Sequence, residues 1–251
     1  MSDALDQAVA SWFTTMRVLT TTIPTGTLTR QGAAVAMVTG LRVPALNVVM
    51  TETVEPDVAA MSDLAAKVRT EDLPWSIQAR GGVGTDITEL AMVNGLSGRS
   101  ALPLMICEVG EARLHGREIP GAAVVRVGAA DRPKHGRVLD LGFETGGDVL
   151  TPLTEDVVLD APGWVAYAAE VGGEQVATAL GVRCGSAVGV FNVAVLPHMR
   201  GRGLGRLICE RVLTDALGSG ATLAFLHSSP MAEPLYRSMG FRVAETWTVF
   251  S

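Results

Sequence analysis

Three cysteines in 251 residues, at Cys107, Cys184 and Cys209, are too few and too scattered to staple a fold. Their number is odd and no C-x-x-C spacing occurs, so neither a disulfide framework nor a zinc site is implied. Reduced thiols are expected. Aromatic residues are scarce as well, at 5%, with two tyrosines among them. Positive charge is short, since the net charge is −6. The extended basic face that a nucleic-acid backbone demands is missing, which disfavours such a partner. Long apolar runs are absent too. Ala33–Val38 and Ala122–Val127 fall far short of the ~20 residues of a membrane helix. The amino end carries Asp3 and Asp6 where a secretory signal would be basic. A cytoplasmic chain with no membrane partner is expected.

What is present suits a packed interior. Hydrophobic residues make up 48% and charged ones 18%, so disorder is disfavoured and one large or two small domains fit. Leu5, Val9, Trp12, Phe13, Met16 and Leu19 recur at three- and four-residue steps and predict a helix over 3–20. Strands follow at Gly32–Val38 and Leu46–Met50, a helix at Val54–Val68, a strand at Trp75–Ala79, a helix at Asp86–Leu96 and a strand at Leu102–Cys107. The charged, turn-rich stretch Glu108–Pro120 reads as a join. A second series then runs strand Ala122–Val127, helix Arg132–Phe143, a hairpin Trp164–Val182 turned at Gly172-Gly173, and strand Ala187–Val195. Helix Leu204–Leu217 stopped by Gly218, strand Thr222–His227, helix Ala232–Met239 and strand Arg242–Phe250 complete it. Alternation of this kind implies layered α/β packing. The expected domains are residues 1–112 and 118–251.

The segment Val195 to Arg206 concentrates the chemistry. Gly201, Gly203 and Gly205 stand where an apolar strand gives way to an amphipathic helix, and Arg200, Arg202, Arg206 and Arg211 crowd around them. Bare amides at a helix N-terminus, with the positive dipole end, form an anion site. A local charge opposite to the global one points to phosphate. A tight turn that merely caps a helix is the bland alternative.

The spacing Arg200-x-x-Gly203-x-Gly205 resembles the pyrophosphate-binding motif of the GNAT superfamily of acetyl-CoA-dependent N-acetyltransferases. Further on, Ala232-Glu-Pro-Leu235-Tyr236-Arg-Ser-Met-Gly240-Phe241 resembles that family's second signature, with Ser229 where the pattern has Asn. The resemblance covers residues 187–241. It implies an α/β fold, a GNAT-like mixed sheet flanked by helices. The first series, lacking both signatures, would be a degenerate copy in a tandem arrangement. The tail after Phe241 is short for the usual last strand pair, which would then be truncated or completed by the N-terminal half.

For the site, the resemblance implies acetyl-CoA as co-substrate and no metal. Its pyrophosphate would be held by Arg200, Gly201, Arg202, Gly203, Leu204, Gly205 and Arg206, through backbone N–H groups with arginine side chains in support. Arg200 is expected to fix the turn while Arg202 faces outward. Val193, Ala194 and Val195 would pair with the pantetheine arm, and the Val193 N–H would polarise the thioester carbonyl. Ser229 joins the cofactor residues. Tyr236 would be catalytic, protonating the leaving thiolate or bonding its sulfur; a packed core aromatic would also account for it.

No single base stands out. Glu170, His227 and a water chain remain open, with Asn192 as a water-positioner. His115 and His135 are isolated, so no metal site is indicated. The cluster Gly81-Gly82-Val83-Gly84-Thr85-Asp86 is read as a turn with Thr85 or Asp86 capping the next helix. The partner implied is an amine, on a small molecule or a protein, and no oligomeric state can be read. The rival readings are a non-catalytic acyl-CoA-binding module whose N-terminal half engages a partner, and a nucleotide-binding protein. The latter lacks the Lys-Ser/Thr pair expected after such glycines.

Overall fold

The computed structural model describes residues 2–116 and 118–251. The chain divides into two compact units, one of Phe13–Leu104 with Val243–Ser251 and one of the residues up to Trp12 with Met105–Arg242. The opening helix α1 (Ser2–Thr22) buries Val9, Trp12, Phe13, Met16 and Leu19. Those are the positions its 3.6-residue period places on one stripe.

The first unit contains β1 (Thr27–Gln31), β2 (Ala34–Val38), β3 (Asn47–Thr51), α2 (Val58–Val68), β4 (Ser76–Ala79) and α3 (Thr85–Val93), before β5 (Arg99–Glu108) leads out. Every residue of β2, β3 and β4 is buried. Continuous burial on both faces explains why these strands read as apolar runs without alternation. β1, β2 and β3 are antiparallel neighbours, and α2 carries the chain across to β4, which lies parallel to β3. Met61, Leu64 and Ala65 of α2 pack with Ile77, Ala91 and Phe250 in one core cluster. The N-cap of α2 is Asp57, whose side chain accepts from the Ala60 N–H. α3 differs from expectation. Its N-cap is Gly84, which has no side chain to cap with, and Thr85 is already helical.

The second unit repeats the plan at greater length. β6 (Ala122–Arg126), α4 (Arg132–Phe143) and the short α5 (Asp156–Leu159) precede β7 (Trp164–Val171), β8 (Glu174–Cys184) and β9 (Ala187–Val195). α6 (Leu204–Gly218), β10 (Leu223–His227) and α7 (Glu233–Ser238) follow, and the last strand is β11 (Arg242–Phe250). β6 through β9 are antiparallel neighbours, and α6 leads to β10, parallel to β9. Gly172 and Gly173 hold φ of 61° and 85° in the β7–β8 turn, the double positive φ that a two-residue type I′ hairpin requires. α6 ends on Gly218, but not by a left-handed turn there. Gly218 is the last helical residue, with Ser219 as C-cap, and the left-handed glycine is Gly220, at φ 80°.

The order strand, strand, strand, helix, parallel strand, helix, strand therefore occurs twice. The closing strand β11 joins the first unit, antiparallel to β4 with Val249 opposite Gln78. Among the described residues, no helix is long and apolar enough to cross a membrane.

Candidate functional site

The second unit opens a cavity of about 450 Å³ where β9, the loop after it, α6, α7 and the end of α4 converge. Its origin lies in β9. Pairing with β10 is registered from Ala187 to Gly189 and goes no further, although β9 continues to Val195. On the other side β9 stays paired with β8, but its register slips between Thr178 and Leu180. Asn192 sits in that irregularity at φ 52°, and its carbonyl accepts from the Thr178 hydroxyl at 2.8 Å. An extra residue of this kind bends a strand and increases its twist. The end of β9 thus turns away from β10 and leaves a backbone edge facing the cavity.

Val193, Ala194 and Val195 line that space, and so do Arg200, Gly201, Gly203, Leu204, Gly205 and Arg206. Ser229 and Tyr236 line it from the other wall. Of the residues singled out from the sequence as cofactor-binding or catalytic, Arg202 alone lies outside the lining. Among the described residues its exposed side chain donates to the His198 carbonyl, at 3.4 Å.

The loop is shaped for backbone contacts. Gly201 and Gly203 adopt φ of 74° and 85°, values costly for a residue with a Cβ. Gly203 is the N-cap of α6 and offers no capping side chain, and the first helical bond runs from Leu207 N to Gly203 O. The amides of Leu204, Gly205 and Arg206 are therefore left without helical carbonyls. A Cβ at Gly201 would meet nothing within 4 Å. The space above the loop is open.

The arginines divide their labour. Arg200 donates to the Val195 carbonyl at 3.2 Å and the Gly142 carbonyl at 2.8 Å, and pairs with Glu144 at 2.9 Å. Arg206 pairs with Glu210 at 2.7 Å and donates to the Ser238 hydroxyl and the Arg113 carbonyl. Arg211 reaches Asp215 and the Val124 carbonyl. These three side chains already serve the fold. Sequence reasoning expected arginine side chains to assist a phosphate, but their intramolecular partners make the amides the better provided donors.

Tyr236 is 5% exposed, with its ring edge-on to Phe241 at 5.9 Å. Burial, and the Cys209 thiol as a lesser influence, push its phenol above the ordinary range. It stays protonated at any physiological pH. Ser229 takes over the structural work of a capping residue: its hydroxyl accepts from the Ala232 N–H at 3.3 Å, where α7 is about to begin.

The candidate bases fare differently. Neither Glu170 nor His227 nor Asn192 lines the cavity. The His227 ring lies 5.5 Å from that of Trp12, tilted by 45°, and burial lowers its pKa to about 3, which makes it a weak acceptor for an ammonium proton. Sequence reasoning missed Phe143, Glu144, Met231 and Leu235, which also line the space. The first two end a helix far back in the chain, so no local pattern announces them. Among the described residues, no group of three His, Cys, Asp or Glu is placed to hold a metal ion.

Residues 162–243 match the family model for the acetyltransferase (GNAT) domain. Of the cavity lining, Val193 to Tyr236 fall within that matched stretch, and Gly142, Phe143 and Glu144 lie before it. A curated relative is serotonin N-acetyltransferase 2, chloroplastic, of Oryza sativa subsp. japonica, 38% identical over 52 residues. That match takes in 21% of this chain and 26% of the relative, so the chain spans about a quarter of the length of the curated protein it matches. A GCN5-related N-acetyltransferase from Kribbella flavida superposes with a TM-score of 0.70 at 18% identity, covering 98% of this chain and 94% of that one. A tandem GNAT protein from the clavulanic acid biosynthesis pathway does so with a TM-score of 0.62 at 14% identity, again over 98% and 94%. The fold is a GNAT-like mixed sheet flanked by helices, and the twofold series is shared with a tandem member.

Proposed function

We propose that the protein is an acetyl-CoA-dependent N-acetyltransferase acting on a primary amine by direct attack in a ternary complex. The observation that carries this reading is the cavity. One space joins an unpaired strand edge at Val193–Val195, the bare amides of Leu204–Arg206 and the phenol of Tyr236. Acetyl-CoA supplies an activated acyl group, and the residues present fit it.

In this scheme the amides after Gly203 hold the pyrophosphate, with Arg202 adding charge at the rim. The free edge of β9 holds the pantetheine arm by strand-like bonds. The Val193 N–H donates to the carbonyl oxygen, where negative charge develops as the amine attacks. Nitrogen bonds to the acyl carbon, the carbon–sulfur bond breaks, and the sulfur leaves as a thiolate. Tyr236 hydrogen-bonds that sulfur. An ordinary thiol titrates near ~8.5 and an ordinary phenol near ~10, so a phenol raised further stabilises the thiolate mainly by hydrogen bonding, with full proton transfer uphill. The ammonium proton goes to water, because Glu144, the carboxylate in the lining, is committed to Arg200. The acceptor is an amine, as the name of the rice relative records for that protein. The three cysteines form no disulfide, in keeping with a reducing, cytoplasmic setting.

Calorimetric titration with acetyl-CoA, CoA and ATP, followed by a thiol-release assay over a panel of amines, tests the scheme. Binding of both CoA species and release stimulated by an amine is the expected result. Binding without release over the whole panel would favour a non-catalytic acyl-CoA-binding module, and preference for ATP would overturn the reading.

A further inference from the structure

We infer that Arg200 is a positioning residue, which clips the carboxyl end of α4 to the end of β9 and so sets the wall of the cavity that faces the acceptor. Its guanidinium uses all three nitrogens: Nε donates to the Val195 carbonyl at 3.2 Å, Nη2 to the Gly142 carbonyl at 2.8 Å, and Nη1 pairs with the Glu144 carboxylate at 2.9 Å. A fork with fixed donor directions suits such a three-way tie, and a lysine point charge does not.

Two independent observations place the tie where it matters. Gly142 lies so near β9 that a Cβ there would stand 2.7 Å from the Ala194 Cβ and 3.3 Å from the Val195 nitrogen. The helix end thus presses on the strand edge that would carry the thioester. Glu144 ends α4 in the left-handed region, at φ 57°, a position that glycine fills at least strain. A glutamate held there against its preference is explained by the use of its carboxylate.

Phe143, between the two tied residues, lines the cavity. Releasing the clip frees Phe143 and widens the approach of the amine, while the amides after Gly203 keep their geometry. The part of the inference that concerns the acceptor rests on the proposed acetyl transfer; the tie itself does not.

The test uses the full chain with Arg200→Gln, Arg200→Lys and Glu144→Gln, read by amide hydrogen exchange and by acetyl-CoA calorimetry. In Arg200→Gln, exchange at residues 142–147 should rise roughly tenfold or more, since local opening there is governed by local bonds. Acetyl-CoA affinity should stay within about threefold, because no phosphate contact is removed. Arg200→Lys, which keeps the pair with Glu144, should fall between, and Glu144→Gln should reproduce part of the effect. With the best amine of the panel, its KM should rise more than kcat falls. A loss of acetyl-CoA affinity beyond about tenfold with exchange at 142–147 unchanged would make Arg200 a phosphate ligand and overturn the clip. Unchanged exchange in all three variants would overturn it as well. If Arg200→Gln does not fold, Glu144→Gln decides by the same exchange readout. Failure of the wild type to bind acetyl-CoA would sink the proposed activity and leave the exchange result standing on its own.

Discussion

The segment Glu52–Asp57 joins β3 to α2, and the segment Leu196–Gly203 joins β9 to α6. Each follows the last strand of an antiparallel run, and each leads through a helix to a strand parallel to that last strand. Position in the fold is shared, and chemistry is not. In the first segment, Glu52 pairs with Arg17 and Arg30, and Asp57 caps α2 while also accepting from the Ala33 N–H. The helix end is already satisfied by its own carboxylate, and a phosphate arriving there meets like charge. In the second, glycines leave the helix end bare. The same framework leaves the helix amides bare or satisfies them, according to what fills the first turn.

The sharpest way to break this contrast is to give the second loop the character of the first. Gly203→Glu puts a carboxylate and a Cβ at φ 85° beside the amides, and acetyl-CoA affinity should fall by ~10²-fold or more while melting stays cooperative. Unchanged affinity by calorimetry would remove the loop from the site. Next in size is Tyr236→Phe. Turnover should drop by ~10²-fold, the low end for such groups, because the raised phenol donates a hydrogen bond more than a proton. Acetyl-CoA affinity should hold, which marks an interaction made in the transition state. Full turnover would return Tyr236 to the core.

Acid should separate the two units as well. All four histidines, His115, His135, His198 and His227, fall in the second. His135 is 2% exposed with no partner at Nδ1, and burial lowers its pKa to about 4. The unfolded chain binds this proton below ~6.5 and the folded one does not until pH 4. Stability is therefore complete above pH 6.5 and is lost as pH falls through that window, by about 3 kcal/mol for this group. His135→Leu should flatten that limb in urea melts at pH 7 and pH 4.5; an identical slope would show that the histidine finds a partner. The smallest effect is expected in the first loop. Asp57→Ala removes a cap worth about 1 kcal/mol and should leave one acetyl-CoA bound per chain. A second binding event in that variant would mean that the acidic loop masks a working site.

The strand–loop–helix centred on Gly203 was legible because everything that defines it lies within a few residues: an apolar strand, glycines, then an amphipathic helix. α4 was legible to the residue for the same reason. β1 was not. Thr27–Gln31 is largely exposed, so no apolar alternation distinguishes it from a threonine-rich linker. The duties of Arg200 and Arg206 were hidden because their partners, Gly142 and Arg113, lie 58 and 93 positions away. For Arg200, the expected division with Arg202 agrees with the contacts made; for Arg206, the side chain turns to Glu210 and Ser238 while its amide stays at the cavity. Phe143 and Glu144 reach the cavity by the path of the backbone between α4 and β7, which no motif spells out. The destination of β11 was legible only as one of two alternatives, a truncated last pair or one completed by the N-terminal half, and the pairing with β4 is the second.

That destination bears on how such a protein is inherited. Val243–Ser251 follows the second unit in sequence yet belongs with the first, where it pairs with β4, and the residues up to Trp12 belong with the second. A gene cut between residues 104 and 105 would leave the earlier product without the strand beside β4 and the later one without the residues of α1 up to Trp12. Neither half is a heritable module.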